Sequence, residues 1–544
     1  MMEISLLTGS TVVLLAVIAF GLIYRHLTRN YFYFADKPMP FLRPVLLLGN
    51  LGPLLAKKRD ILEHFKWLYN CFPDAKVFGF YSMSDPLYMI RDPEMLKRIA
   101  VKDFDHFVDH SGLVVKSDSN ELDNPHMLIM NTLVALRGNK WRDMRATLSP
   151  AFTGSKMRQM FALIAECGHT MVEFYRGKGD HELQVVEVKE MFSRFTNDVI
   201  ATTAFGIKID SFKEENNAFF ELGKAVMQPT GFVNTLKVIG FMFAPKLMIK
   251  MNVDFLSKQH DSFFRGTVLE TMRLRQEKNI FRPDMIELLI QAKKGSLKHT
   301  AEKLADEGFA TVQESQVGTR SHDRVWTDDE LIAQALIFFV AGFETVSSTL
   351  SFMAYELTRN VDVQARLYEE IKETERTLDG KPLSYETLQA MQYMDMVVSE
   401  TLRMWPIGAV VERMCVKDYV YDDGRGCRFT IEKGKSVMAS VIGFHHDPKY
   451  YPEPERFDPE RFSAENRRNI NLDTYLPFGI GPRNCIGSRF ALMEMKAILY
   501  YLLLNFSFEV HEKTQIPLKL LKIPTRIATE KGIWVGLKPR VNSK

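Results

Sequence analysis

The residues most suited to chemistry lie in a glycine-rich stretch near the carboxyl end of the chain, which reads PFGIGPRNCIG from 477 to 487. An apolar-periodic helical pattern follows, so Cys485 is predicted in a loop at a helix start. Backbone N–H groups and the helix dipole favour a thiolate there, the form in which a cysteine binds a metal. The glycines let the backbone approach a flat cofactor closely, and Arg483 is suited to pair with a carboxylate on it.

A long helix is predicted to begin after Thr327. Thr327 and Glu330 have the spacing of a capping box, and the apolar run from Leu331 predicts a helix to about Arg359. Within it, Gly342 weakens the backbone ladder and Thr345 is placed to bond a carbonyl one turn earlier. Together they predict a local opening that water can enter.

Two further charged residues have the spacing of an ion pair within one helix. Glu400 and Arg403 are three residues apart and share a helix face, where an ion pair forms naturally. If Arg461 also docks there, a buried charge network results, and removal of one member is expected to cost about 3–5 kcal/mol.

Composition excludes several classes of protein. The chain has 544 residues, 46% of them hydrophobic and 25% charged, which is typical of globular proteins rather than disordered ones. The formal net charge is only +3, so nucleic acid is not an expected partner. The five cysteines are scattered without CxxC spacing, so neither a disulfide framework nor a zinc site is predicted.

The amino terminus resembles a membrane anchor. Ile4 to Tyr24 carries no charge over about 21 residues, enough to cross a bilayer as a helix, and Arg25 and Arg29 follow. The positive-inside rule keeps this basic flank in the cytosol. We therefore predict an uncleaved anchor at 1–30, an aromatic and proline-rich hinge at 31–50 and one large globular domain at 51–544, the alternative for the first being a buried core helix.

The remaining pattern predicts a mostly α fold with small β-sheets. Helical periodicity dominates from about Asp60 to Pro406, while strand-like runs occur at 75–91, 413–431 and 532–539. The polar tract 293–324 is expected to be an exposed linker.

At this point a family resemblance becomes specific. Phe478, Gly481, Arg483, Cys485 and Gly487 match the haem-binding signature F-x-x-G-x-R-x-C-x-G of the cytochrome P-450 family, the haem-thiolate monooxygenases. Three more motifs follow the family's order: AGFET at 341–345 resembles its oxygen-activation sequence, ETLR at 400–403 its E-x-x-R motif, and PERF at 459–462 the element supplying Arg461. The sequence as a whole is similar to those of the microsomal xenobiotic-metabolising clan, in particular its insect detoxification members.

The resemblance implies roles for individual residues. Cys485 is the axial ligand of haem b, Glu344 and Thr345 relay protons on the distal side, and Glu400, Arg403 and Arg461 form a structural triad. Trp141, Arg145 and Arg413 resemble the family's residues near the haem propionates, the alternative being ordinary packing. Many relatives carry a hydroxyl residue after the threonine, whereas this chain has Val346. The expected substrate pocket is apolar and includes the 110–130 loop and Phe338, Phe339, Ala341, Ile407, Ala409 and Val410.

The implied reaction inserts one oxygen atom from O2 into a lipophilic substrate, with electrons from NADPH. The implied electron donor is NADPH-cytochrome P-450 reductase, with cytochrome b5 as an optional second donor. The anchor places the protein in the endoplasmic reticulum membrane with its catalytic domain on the cytosolic face.

Three alternatives remain open from the sequence. A haem-thiolate isomerase or dehydratase, or a haem sensor, would not need the Glu344 and Thr345 pair that is present. A monooxygenase of one endogenous lipid or hormone would share every motif with a xenobiotic enzyme.

Overall fold

The computed structural model describes residues 14–540 apart from 16, 19, 23, 26, 112–126, 180–181, 215–216, 228–231, 244, 255, 283, 295–307, 313–324 and 525. The chain divides into two compact units. The first comprises Met1–Phe107, Ala409–Gly443 and Leu520–Ile527, and the second comprises Val108–Gly408, Phe444–Lys519 and Ala528–Lys544. Because the chain passes repeatedly between them, the units are not consecutive sequence domains.

The fold is mostly helical with small sheets, as the sequence predicts. The helices are α1 Gly52–Leu55, α2 Ile61–Tyr69, α3 Pro93–Lys97, α4 Gly138–Leu148, α5 Gly154–Arg176, α6 Val188–Ala204, α7 Ala218–Met227, α8 Phe232–Phe243, α9 Pro245–Lys250, α10 Lys258–Lys278, α11 Met285–Lys293, α12 Asp328–Arg359, α13 Val361–Leu378, α14 Tyr385–Ala390, α15 Gln392–Met404, α16 Val441–His445 and α17 Ser488–Asn505. The strands are β1 Val77–Ser82, β2 Asp85–Ile90, β3 Gln184–Glu187, β4 Val410–Met414, β5 Tyr419–Asp422, β6 Arg428–Ile431, β7 Ser436–Ser440, β8 Phe506–Glu509 and β9 Trp534–Pro539.

The first unit is built on a four-stranded sheet of order β1-β2-β7-β4. β1 and β2 form an antiparallel pair, β2 runs parallel to β7, and β4 is antiparallel to β7. β5 and β6 form a separate antiparallel pair. The strand-like runs that the sequence shows in these regions are therefore confirmed.

Much of the segment predicted as a hinge packs against β1. Phe34 is fully buried, and its ring leaves no room for a Cβ at Gly79. Leu42 donates its backbone N–H to the Gly79 carbonyl at 2.9 Å. Of the aromatic residues 31–34, Phe32 is the most exposed. Burial of Phe34 and backbone pairing with β1 therefore make this segment part of the first unit, in contrast to the predicted stiff spacer.

The second unit contains α12 and the antiparallel sheet β3-β9-β8. The predicted capping box is confirmed: Thr327 Oγ1 accepts the Glu330 N–H, and the Glu330 carboxylate accepts the Thr327 N–H at 3.0 Å. Acidic residues in the first turn complement the positive end of the helix dipole. α12 packs against α6, α7, α10, α15 and α17, so it is the central helix of this unit.

The described residues include one helix that is long and apolar enough to cross a membrane, and it is α12. Most of α12 is buried within the protein. The segment predicted as an anchor lies largely outside the described residues, but its described positions from 14 to 28 are helical. Most of the predicted linker 293–324 and of the 110–130 loop also lies outside the described residues.

Candidate active site

Cys485 lies in a tight loop three residues before α17 begins. Its N–H donates to the Phe478 carbonyl at 2.9 Å and closes the loop. Gly479 and Gly481 have φ of +77° and +74°. Side chains other than hydrogen are strained at these angles, so the two glycines allow the chain to turn twice between Phe478 and Cys485.

The Cys485 side chain is exposed, yet the surrounding protein raises the pKa of its thiol by desolvation. The thiol is therefore accessible to a ligand, although protein atoms are densely packed around it. The Gly487 N–H and the Arg145 charge act in the opposite direction and lower the pKa. Both therefore favour the thiolate form, as a metal ligand requires.

Arg483 is held by backbone carbonyls of the chain that precedes α4. Its guanidinium donates to the Val108 carbonyl at 2.8 Å and to the Leu136 carbonyl at 2.7 Å, and it lies 4.0 Å from the ring centroid of Trp141. Arg145 makes two hydrogen bonds of 2.8 Å to Asn484, one to its carbonyl and one to its side-chain oxygen. Arg483, Trp141 and Arg145 thus fix the cysteine loop against α4 and the chain before it.

One face of α12 is open, whereas most of the helix is buried. Ala341 and Thr345, one turn apart, are both exposed, and Phe338 on the same side is partly exposed. Phe152 connects this face to the cysteine loop: its ring contacts Phe338 at 5.7 Å between centroids and lies 3.7 Å from the position of a Cβ on Gly487. Phe152 therefore links the open face to the cysteine loop within the second unit.

Gly342 is required by packing. A Cβ at this position would lie 2.3 Å from Ile200 Cδ1 on α6, which is closer than van der Waals contact allows. Thr345 Oγ1 donates to the Ala341 carbonyl at 2.7 Å, as the sequence predicts. The helix nevertheless continues unbroken through this region, so the structure contains the back-bond without the predicted local opening.

Glu344, predicted beside Thr345 in proton transfer, points to α6, where its carboxylate pairs with Lys189 at 3.1 Å. Phe339 differs from its predicted place in the substrate pocket. It is fully buried and packs in an aromatic cluster with Phe205, Phe219, Phe264 and Phe343. A one-residue step around a helix is about 100°, which carries Phe339 away from the Phe338 side.

The charged residues 400, 403 and 461 meet in the second unit. Arg403 donates two hydrogen bonds to the Glu400 carboxylate, at 2.7 and 2.8 Å, and neither side chain is exposed to solvent. Arg461 Nε lies 3.4 Å from Glu400 Oε1. The Asp458 N–H also donates to Glu400 at 2.9 Å, so the buried carboxylate is well compensated.

His445 extends this network and is absent from the sequence prediction. Arg403 Nη1 donates to the His445 carbonyl at 2.8 Å, and His445 Nδ1 lies 3.0 Å from the Arg403 carbonyl. The available signal is weak: two adjacent histidines follow a β-strand pattern, and nothing local indicates which one is buried. His445 is fully buried.

The other predicted residues lie between the end of α15 and β4, or in β4 itself. Ile407 is partly exposed in the second unit, while Ala409 is buried and Val410 partly exposed in the first. Arg413, also in the first unit, is buried, and its guanidinium donates to the Glu412 carbonyl at 2.7 Å. Burial lowers the pKa of Arg413 to about 10. Because desolvation opposes the charge on Arg413, an anionic group beside it would stabilise the guanidinium.

These residues fit a thiolate-ligated haem. Cys485 supplies one soft, accessible sulfur ligand. Gly479 and Gly481, which have positive φ, keep side chains out of the loop, and Ala341 is a small residue on the open face of α12. Trp141, Arg145 and Arg413 are the residues that the sequence predicts near its carboxylates.

Comparison with known proteins is decisive for the family. The family model "Cytochrome P450" matches residues 39–532. Among similar curated proteins, "Cytochrome P450 9e2" of Blattella germanica is 44% identical, with 95% of each chain covered. "Probable cytochrome P450 9f2" of Drosophila melanogaster is 40% identical over 97% of this chain and 98% of the relative. The predicted likeness to insect members is confirmed, and the chain belongs to the cytochrome P450 family of haem-thiolate monooxygenases.

Proposed function

We propose that this protein is an NADPH- and O2-dependent monooxygenase of lipophilic xenobiotics such as plant toxins and insecticides. The observation that carries the proposal is the open α12 face of Ala341 and Thr345, which Phe338 and Phe152 link to the loop of the exposed Cys485 thiol. For a substrate RH, the balanced reaction is RH + O2 + NADPH + H⁺ → ROH + H2O + NADP⁺. When bound to Cys485, the haem supplies the activation of O2 and the oxidation itself.

The chain's own residues bind the substrate, position it and deliver protons. Phe338 and Ala341 present an apolar surface that suits lipophilic molecules. Thr345 Oγ1 donates its hydrogen bond to the Ala341 carbonyl. Its lone pairs can therefore accept a hydrogen bond from water or from a bound ligand. Arg145 and the Gly487 N–H stabilise the Cys485 thiolate. Trp141, Arg145 and Arg413 are proposed to hold the haem carboxylates, while Arg483 braces the loop through carbonyls.

We also propose an endoplasmic reticulum location with an N-terminal anchor at 1–30 and a cytosolic catalytic domain. Several apolar side chains of the described helical residues in this segment are exposed, namely Leu14, Leu15, Val17, Ile18, Phe20 and Leu22. A hydrocarbon environment would cover them. NADPH-cytochrome P-450 reductase is the proposed electron donor, with docking on basic residues of the Cys485 side.

The experiment is product formation by the membrane-bound holoenzyme with reductase and NADPH. Mass spectrometry scores a panel of plant toxins, insecticides, steroids and fatty acids for gain of one oxygen. Oxygenation of several toxins is the expected result, and turnover of one endogenous lipid alone would replace the xenobiotic role with a biosynthetic one. The Cys485→Ala variant should lose both turnover and the thiolate-type carbon monoxide spectrum; retention of that spectrum would overturn the ligand assignment.

A further inference from the structure

The carboxylate of Glu344 is tethered to a neighbouring helix. Lys189 Nζ lies 3.1 Å from Glu344 Oε2 and donates to Ser347 Oγ at 2.6 Å. Ser348 Oγ donates to the other carboxylate oxygen at 3.3 Å. The lysine therefore contacts Glu344 and Ser347, which lie three residues apart on α12, and both carboxylate oxygens of Glu344 have a partner.

The lysine itself is placed by close packing of α6 on α12. Ile200 approaches Gly342, and Thr196 Oγ1 donates to the Phe343 carbonyl at 3.1 Å. Thr196 and Ile200 follow Lys189 by seven and eleven residues, so all three share one face of α6. These contacts hold α6 against α12 and so bring the Lys189 position of α6 close to Glu344.

The side chains of Glu344 and Thr345 consequently lie on different sides of α12. Thr345 lies on the open face, whereas the Glu344 carboxylate is held on the α6 side, about 100° around the helix. The Lys189 and Glu344 side chains are 27% and 19% exposed, so solvent reaches the pair. Val346, where many relatives have a hydroxyl, is buried, and the hydroxyls of Ser347 and Ser348 are near Glu344 instead.

We propose that Lys189 is the positioning residue for Glu344 and thereby sets how efficiently NADPH use is coupled to product. In this role Glu344 passes protons from solvent toward the Thr345 side, and Lys189 fixes the position of the carboxylate through which they pass. The tether also holds the carboxylate where water reaches it. The coupling role rests on the proposed monooxygenase function, whereas the tether between the two side chains does not.

The first test measures the tether without turnover. Urea unfolding of the full chain with haem bound is compared for wild type, Lys189→Met, Glu344→Gln and the double variant. If the two side chains interact, the effects of the single changes are not additive. Additive effects would overturn the tether whether or not the protein oxygenates any substrate.

The second test measures coupling. Lys189→Met should lower product formed per NADPH several-fold and raise hydrogen peroxide, while keeping the wild-type carbon monoxide spectrum. Lys189→Arg should restore the ratio, which loss of packing alone would not predict. Lys208→Met is the matched control, because Lys208 pairs with Glu166 at 2.6 Å on the surface and is 82% exposed.

An unchanged product ratio in Lys189→Met would overturn the coupling role. Absence of any NADPH-dependent oxygenation by the wild type, together with a non-additive unfolding cycle, would instead reject the proposed function and retain the tether. The two failures are therefore distinguishable.

Discussion

The His445 ring accepts the backbone N–H of Leu476 through Nε2 at 2.8 Å. Since Nε2 is the acceptor, the ring proton is on Nδ1 and is donated to the Arg403 carbonyl. Leu476 lies two residues before the cysteine-loop motif begins at Phe478. A neutral histidine thus connects the buried Glu400 and Arg403 pair to the loop that carries Cys485.

Protonation of His445 should destabilise the fold. Burial and the Arg403 charge hold the pKa of His445 well below its ordinary value. As the pH is lowered below about 6.5, this histidine is protonated in the unfolded chain but stays neutral in the folded chain. The free energy of unfolding should therefore decrease over this range, by up to about 1.4 kcal/mol per pH unit. Urea unfolding of the holoenzyme at several pH values measures this slope.

The His445→Gln variant should lose that part of the slope, so its stability should approach that of the wild type as the pH falls. His511→Gln serves as the control, because His511 lies in a turn where it accepts the Lys513 N–H at 3.2 Å. Parallel curves for wild type and His445→Gln would contradict the assignment.

Glu400→Gln should destabilise the protein by about 3–5 kcal/mol, because it leaves the buried Arg403 charge without its counterion. Urea unfolding measures the loss, and haem content should fall with it. Glu373→Gln is matched in spacing: Glu373 pairs with Arg376 at 3.1 Å, also three residues apart, but on the surface. That control should cost less than about 1 kcal/mol. Equal effects would show that burial adds nothing to the inner pair.

Gly342→Ala should cost about 1–3 kcal/mol through overpacking against Ile200. Ile200→Val removes Cδ1, the nearest atom, so the Gly342→Ala/Ile200→Val protein should recover part of the loss. Gly266→Ala in α10 is the control, because an added Cβ there meets no atom within 4 Å beyond the adjacent residues and backbone of its own helix. Thermal unfolding of the four proteins tests the contact, and strictly additive losses would refute it.

Thr345→Ala should keep the haem bound but divert electrons to peroxide, since the open face of α12 loses its hydroxyl. Product formation should fall by roughly 10²-fold, the lower range for a positioned proton-transfer group. Thr345→Ser keeps the oxygen and should retain most of the product yield. Product and peroxide per NADPH are the measurements, and an unchanged ratio in Thr345→Ala would remove the residue from proton delivery.

Deletion of residues 1–30 should weaken membrane attachment, because it removes the apolar segment and its basic flank while keeping the buried Phe34. Sedimentation of microsomal membranes followed by immunodetection measures the bound fraction. Full retention would show that another surface anchors the protein; the exposed Val233, Leu236, Leu247 and Met251 in and after α8 and α9 are then the next to change.

Local spacing was sufficient for several features of this protein. The capping box at Thr327, the back-bond of Thr345 and the Glu400 and Arg403 pair all join residues three or four positions apart. Helix geometry brings such residues together whatever the rest of the chain does. The glycine and cysteine spacing in the 478–487 loop is likewise local, and it identified the family.

Only the tertiary structure decided the partners of these residues. Arg483 bonds carbonyls 375 and 347 positions away, Lys189 is 155 positions from Glu344, and Ile200 on α6 makes Gly342 necessary. The burial of Phe339 and the role of His445 depend in the same way on packing between distant helices and loops. Sequence periodicity determines which face of an element is apolar, but the opposing side chain is determined only when the elements pack together.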